Sequence, residues 1–263
     1  DAYDISELVN GNPWTEDADL SVLPVFRNPL TMLPNGYVAD SDMGQMREVL
    51  LDVAARLGMD TSLPITDNAP DEETRLQIEK KYESVGMEVP EGTFAATKLI
   101  LEDNGIRLEV DAELTVDIDF DPAVSLPEEY SFTNFSSLEE KTAAAGWLAE
   151  TYSDLLSWEN PQLSISGGDY NTSLQQKYDV EFFDGSGSLT DQIIHYNFCR
   201  TSFYCNDDGD LSLARVRQPD LSEVVGEYPI ISAEEAKQLL LEGHYLTTVP
   251  AEMLGEEFIS KVE

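Results

Sequence analysis

Two β-favouring runs meet across a tight turn at residues 198–217, and this stretch limits what the chain can become. Phe-Cys-Arg-Thr-Ser-Phe-Tyr-Cys precedes the turn Asn-Asp-Asp-Gly-Asp, and Leu-Ser-Leu-Ala-Arg-Val-Arg follows it. Asp208-Gly209 can supply the positive φ that a short hairpin loop needs. The stretch predicts an antiparallel hairpin inside a larger sheet. A second antiparallel group is expected at 94–101, 106–110 and 114–120, where apolar residues alternate or cluster and Asn104-Gly105 marks a hairpin turn.

Helices separate these groups. Met43, Met46, Val49, Leu50, Val53 and Leu57 recur at helical spacing, with Asp40 or Ser41 available as N-cap and Gly58 placed for a left-handed C-terminal cap. Residues 71–84 are charged, with few large apolar positions, and predict a mostly exposed helix. Residues 126–132 read as a further strand. The principal core helix is expected over 138–158, opened by Ser136 with Glu139 or Ser137 with Glu140 as a capping box. Gly167-Gly168-Asp169 reads as a loop before a strand at 174–183, and Ser188 with Asp191 opens a short helix. Ser232 with Glu235 caps a last helix ending at Gly243, whose face of Ala236, Leu239 and Leu240 is expected to be buried against the sheet.

The expected fold class is therefore α+β, with antiparallel meanders and hairpins packed against a few helices. Helix followed by strands occurs twice, at 41–121 and 137–217, so two similar helix-plus-three-strand units are one reading. On it, residues 1–22 form an N-terminal extension docked through Tyr3, Ile5, Leu8 and Trp14, 23–125 a first α+β unit, and 126–263 a second. One compact domain is the other reading.

Charge narrows the partners. Of 263 residues, 52 are acidic and 15 basic, a formal net charge of −37 that repels phosphate backbones and anionic lipid alike. Nucleic acid is excluded as a partner, and no apolar run is long enough for a transmembrane segment. Cys199 and Cys205 are six positions apart, about 20 Å on an extended strand and well beyond disulfide reach, so free thiols are expected.

Few motifs carry chemistry. Asp117, Asp119 and Asp121 share one face of a strand, with Val116, Ile118 and Phe120 on the other. Three carboxylates in a row invite a hard cation, and Glu128 even stands at an EF-hand distance from Asp117, but Pro122 occupies the position that requires glycine. Asp207, Asp208 and Asp210 crowd the 206–210 turn, although hairpin turns use the same residues for conformational reasons. These six are the candidate calcium ligands; no other cofactor is expected. His195 and His244 lack a partner at metal-ligand spacing. No nucleophile elbow, phosphate loop or dinucleotide motif is present. Trp14, Trp147 and Trp158 are candidates to line a sugar or peptide cleft.

Residues 228–250, Tyr-Pro-Ile-Ile-Ser-Ala-Glu-Glu-Ala-Lys-Gln-Leu-Leu-Leu-Glu-Gly-His-Tyr-Leu-Thr-Thr-Val-Pro, resemble a segment of uncharacterised lipoprotein-like surface domains of Gram-positive gut bacteria. Leu-Pro-Val-Phe-Arg-Asn at 23–28 is similar to their N-terminal part. Such domains resemble ectodomains linked to receptor-type metalloproteases and, more distantly, PepSY-like sensor modules. The zinc motif His-Glu-x-x-His of those proteases is absent, so the resemblance implies a sensing or binding part and supplies no catalytic residue.

The reading that joins these strands is a non-enzymatic extracytoplasmic module of the cell surface, its anchor removed or outside this sequence. It would bind a peptide, an envelope component or a membrane protein. The alternative is a hydrolase that uses acidic residues on carbohydrate or peptide, which would need a close pair of carboxylates with raised pKa in a cleft.

Overall fold

The computed structural model describes residues 20–28, 30–33, 36–39, 42–170, 176–244 and 246. Residues 1–19 of the expected extension at 1–22, the caps Asp40 and Ser41, and the tail beyond 246 lie outside these residues. Two compact units account for the chain, one containing residues 28–220 and the other joining 20–27 to 221–246.

In the larger unit, helix α1 (Met43–Arg56) precedes strand β4 (Thr66–Asp67), helix α2 (Glu72–Ser84) and strands β5 (Lys98–Asp103), β6 (Ile106–Asp111) and β7 (Thr115–Val124). Helix α3 (Leu138–Thr151) and a 3-10 turn (Ser153–Leu156) then lead to β8 (Pro161–Tyr170), β9 (Gln176–Asp184), helix α4 (Leu189–Phe198), β10 (Arg200–Cys205) and β11 (Leu211–Arg217). A short hairpin of β2 (Leu30–Leu33) and β3 (Gly36–Ala39) comes before α1. The main sheet has eight antiparallel strands in the order β4-β5-β6-β7-β11-β10-β9-β8. Strands β4 to β7 and β8 to β11 are thus two meanders, joined where β7 pairs with β11. The expected halves 23–125 and 126–263 both contribute to this one sheet.

One face of the sheet is apolar because the strands alternate. Leu99, Leu101, Leu108, Val110, Val116, Ile118, Phe120, Val180, Phe182 and Phe203 are buried in a single cluster with Met46, Leu50 and Val53 of α1 and Ala144, Ala145 and Leu148 of α3. Helix α4 covers the opposite face at β9: Phe183, next in sequence to Phe182 and so on the other side, meets Tyr196 edge-on with ring centroids 5.4 Å apart. Capping boxes open α3 at Ser137/Glu140 and α4 at Ser188/Asp191. Helix α1 is capped by Asp42, whose carboxylate accepts from Gly44 and Gln45 N–H, and ends at Gly58 with φ +71°.

Four local expectations are corrected. Residues 126–132 form a turn instead of a strand, with Tyr130 N–H bonded to the Pro127 carbonyl and Phe132 inserted into the core. The long helix over 138–158 breaks after Thr151, and the 3-10 turn that follows buries Leu155 and Leu156. The Gly167-Gly168 stretch belongs to β8, a ten-residue strand at the sheet edge, where proline at the first position and glycine are tolerated. Cys199 caps the end of α4 instead of lying on the strand.

The smaller unit pairs β1 (Val22–Phe26) with β12 (Val224–Pro229) antiparallel, followed by helix α5 (Ala233–Leu241). Ser232 and Glu235 form the expected capping box. The expected burial of the helix is corrected: α5 has no buried residue, and Leu239 and Leu240 are each 37% exposed.

Candidate functional site

A cleft of about 560 Å³ opens in the larger unit where three chain reversals converge. The first is the end of α1, with Ala55, Arg56, Leu57 and Gly58 on the rim. The second is the β5-β6 turn, Asn104 and Gly105, both at positive φ (46° and 83°) as a type I′ hairpin demands. Gly105 has a second reason to be glycine, since a Cβ there would lie 2.4 Å from the Asp121 carbonyl oxygen. That closeness lets Asp121 N–H donate to the Gly105 carbonyl at 2.7 Å, fastening the turn to β7. The third is the step from α3 into the 3-10 turn, which brings Thr151, Tyr152, Asp154 and Leu155 to the wall.

The floor is aromatic. Tyr152 lies between Phe120 and Phe203 with ring centroids 5.8 Å from each, and burial pushes its phenol above the ordinary value, so it is neutral at physiological pH. Leu57, Ile106, Val124 and Leu155 add aliphatic surface. The rim is ionic. Arg56 is held by Asp52 one turn earlier at 2.6 Å. Asp121 and Asp154 are exposed, and no cation pairs with either among the described residues. The volume lies within the usual range for small-molecule or side-chain sites.

The six aspartates read as candidate calcium ligands lie elsewhere, apart from Asp121. Asp117, Asp119 and Asp121 do share the polar face of β7, but register decides what the first two meet. Asp117 lies opposite Arg215 of β11 and takes a bidentate pair of bonds from it, at 2.6 and 3.0 Å. Asp119 lies opposite Arg107 of β6 and pairs with it at 3.3 Å. Arg107 also holds Glu109 at 2.5 Å, and Glu109 is bonded in turn to Lys98. Burial pushes the Glu109 carboxyl up, yet the bonds from Lys98 and Arg107 outweigh it and hold the group below its usual range. The polar face is thus a cross-strand ladder in which the sheet supplies its own cations.

In the 206–210 turn, the Asn206 side chain accepts from the backbone N–H of Asp208 and Asp210, and Asp207 accepts from Asn134 at 3.2 Å. Gly209 is at φ +88°. Among the described residues no group of three or more His, Cys, Asp or Glu side chains is arranged to hold a metal ion.

Cys199 and Cys205 are free thiols, as the spacing predicts. Burial pushes Cys199 up to about 11; burial, with the nearby Asp210 charge, pushes Cys205 up to about 12. The His195 ring is bonded through Nδ1 to the Asp184 carbonyl at 2.9 Å, and His244 lies 3.7 Å from Glu242. Trp147 packs on Tyr130, Trp158 packs against the core, and neither lines the cleft. The cleft residues escaped sequence reasoning apart from Asp121. The two glycine signals, Gly58 and Asn104-Gly105, were legible as chain reversals, but nothing in the sequence says that they adjoin.

Comparison with protein-family models, with curated proteins and with solved structures finds no match for this chain.

Proposed function

We propose that the protein is a non-enzymatic binding or sensor module of the bacterial cell surface, extracytoplasmic, and that the cleft between α1, the β5-β6 turn and the 3-10 turn is where its ligand docks. The observation that carries this reading is the composition of the cleft: an aromatic and aliphatic floor rimmed by ionic groups on rigid elements, suited to recognition of a peptide or an envelope component. The resemblance at residues 228–250 supports the surface location.

The test is a cleft-filling variant. Ala55 is exposed on the rim, so Ala55→Trp is expected to fold and to occlude the site. Binding to immobilised envelope fragments and membrane-protein extracts of a Gram-positive bacterium is expected for the wild type and lost in the variant. Retention of that binding by Ala55→Trp, with an unchanged melt, would remove the cleft from the proposal.

A further inference from the structure

Strand β8 ends the eight-strand order, and among the described residues no strand pairs with its outer side. Which of its backbone groups face outward follows from the ladder. Asn160 and Gly185 continue the register that pairs Pro161 with Asp184, and Gly185 N–H donates to the Asn160 carbonyl at 2.9 Å. Bonded and non-bonded positions alternate in an antiparallel pair, so Gln162, Ser164 and Ser166 turn N–H and C=O toward β9, while Leu163, Ile165 and Gly167 turn theirs away from the sheet. Pro161 falls in the outward set, where a missing N–H removes no ladder bond.

The two edges of the sheet differ. Strand β4 is two residues long and includes Asp67, and where it stops the Asn68 side chain accepts from Thr97 and Lys98 N–H at 2.8 and 2.9 Å, leaving β5 little open edge. Residues 161–167, Pro-Gln-Leu-Ser-Ile-Ser-Gly, carry no charge in a chain where 52 of 263 residues are acidic, and the register breaks only after Gly167. The apolar face also runs out to this edge. Leu163 lies opposite the buried Phe182 and Ile165 opposite the buried Val180, yet Leu163 is 37% exposed.

We infer that β8 is a self-association edge: two copies of the chain pair antiparallel through residues 161–167, with Leu163 opposite the partner's Ile165, and join their eight-stranded sheets into one. The pairing is reciprocal about a two-fold axis and supplies about six backbone hydrogen bonds from the outward groups of Pro161, Leu163, Ile165 and Gly167. It also extends the apolar face over Leu163. A second copy fits this edge because no carboxylate within 161–167 opposes another and both strands are already extended, whereas a flexible peptide would lose backbone freedom on pairing. The charge of −37 on each copy opposes the approach, so the association strengthens as salt screens the repulsion.

Sedimentation velocity over a protein concentration series is expected to show a monomer–dimer equilibrium that tightens between about 0.15 M and about 0.5 M sodium chloride. Residue-resolved hydrogen exchange locates the contact. The amides of Leu163, Ile165 and Gly167 are expected to gain protection with concentration, while those of Gln162, Ser164 and Ser166, bonded to β9, do not change. Leu163→Pro removes one outward donor without touching the β9 ladder, and Leu163→Glu keeps the backbone and brings a carboxylate from each copy to the interface; each is expected to weaken dimerisation by about tenfold or more with little change in the melt. A chain monomeric at every concentration, or a dimer that both variants leave intact, would overturn the inference. Outward amides equally protected at all concentrations would overturn it too, by showing that the chain covers its own edge. Protection of those amides by the free peptide Pro-Gln-Leu-Ser-Ile-Ser-Gly, in a chain that stays monomeric, would overturn the second copy and leave the edge as a peptide site.

Discussion

Asp117 illustrates how a single residue changes meaning with its surroundings. Its carboxylate is two-thirds covered and fully engaged by the Arg215 fork, whose guanidinium is raised in pKa first by that hydrogen bond. Removing the charge in Asp117→Asn leaves the arginine half-buried and unpaired. We expect a loss of about 1 kcal/mol, moderated by partial exposure, read as a lower urea midpoint. Asp208→Asn, at an exposed turn position, should fall within about 0.5 kcal/mol of wild type. Micromolar calcium should leave the melting temperature unchanged, because a cation at Asp117 would have to displace Arg215. A rise of several degrees would show a ligand set assembled elsewhere. The thiols belong to the same scale. With Cys199 and Cys205 pushed up to about 11 and about 12, neither should be alkylated by iodoacetamide at pH 8 in the folded protein. Both should titrate after unfolding without reductant.

Helices α1 and α5 are both amphipathic in sequence and have opposite fates. Leu50 of α1 is fully buried between the sheet and the 3-10 turn, and Leu50→Ala should cost about 2 to 5 kcal/mol. Leu239 of α5 is 37% exposed, so Leu239→Ala should cost well under about 1 kcal/mol, a contrast measurable by denaturant unfolding of the two variants side by side. An equal loss in both would mean that α5 is covered in solution. The capping boxes were readable for α3, α4 and α5 because the signal is local: Ser and Glu or Asp three apart satisfy donors within one turn.

For the whole molecule, self-repulsion and specific pairing set opposite pH trends. Lowering the pH from 7 relieves a net charge of −37, which favours the compact state. Carboxyls such as Asp184, Asp191 and Glu140, depressed in the folded protein, contribute stability that is present above their unfolded values near about 4 and lost as pH falls through the folded ones. The melting temperature should therefore peak between about pH 5 and 6 and fall below about 4. On the alkaline side the raised thiols reverse the sign. Their contribution is complete below about 8.5, the unfolded value, and is lost as pH rises through the folded values of about 11 and 12. Added salt at pH 7 should raise the melting temperature by screening the repulsion; a salt-independent melt would show that the acidic residues are too dispersed to matter.

Short-range chemistry was determined by the sequence alone. The hairpin at 198–217, the Asn104-Gly105 turn, the α1 stripe and the Ser-Glu caps depend on neighbours within a few residues, and the α+β class follows from them. The edge strand through Gly167-Gly168 and the exposure of α5 were decided at longer range, since the fate of each depends on what pairs with it or covers it. Asp117, Asp119 and Asp121 show the division most plainly. Alternation along β7 put all three on one face, but only the register of β6 and β11 gave Arg107 to Asp119 and Arg215 to Asp117. Asp121, past the end of the β6 pairing, was left beside the cleft without a cation, because the chain reversals at Gly58, Asn104-Gly105 and Tyr152 converge there only once the sheet and its two helices have packed.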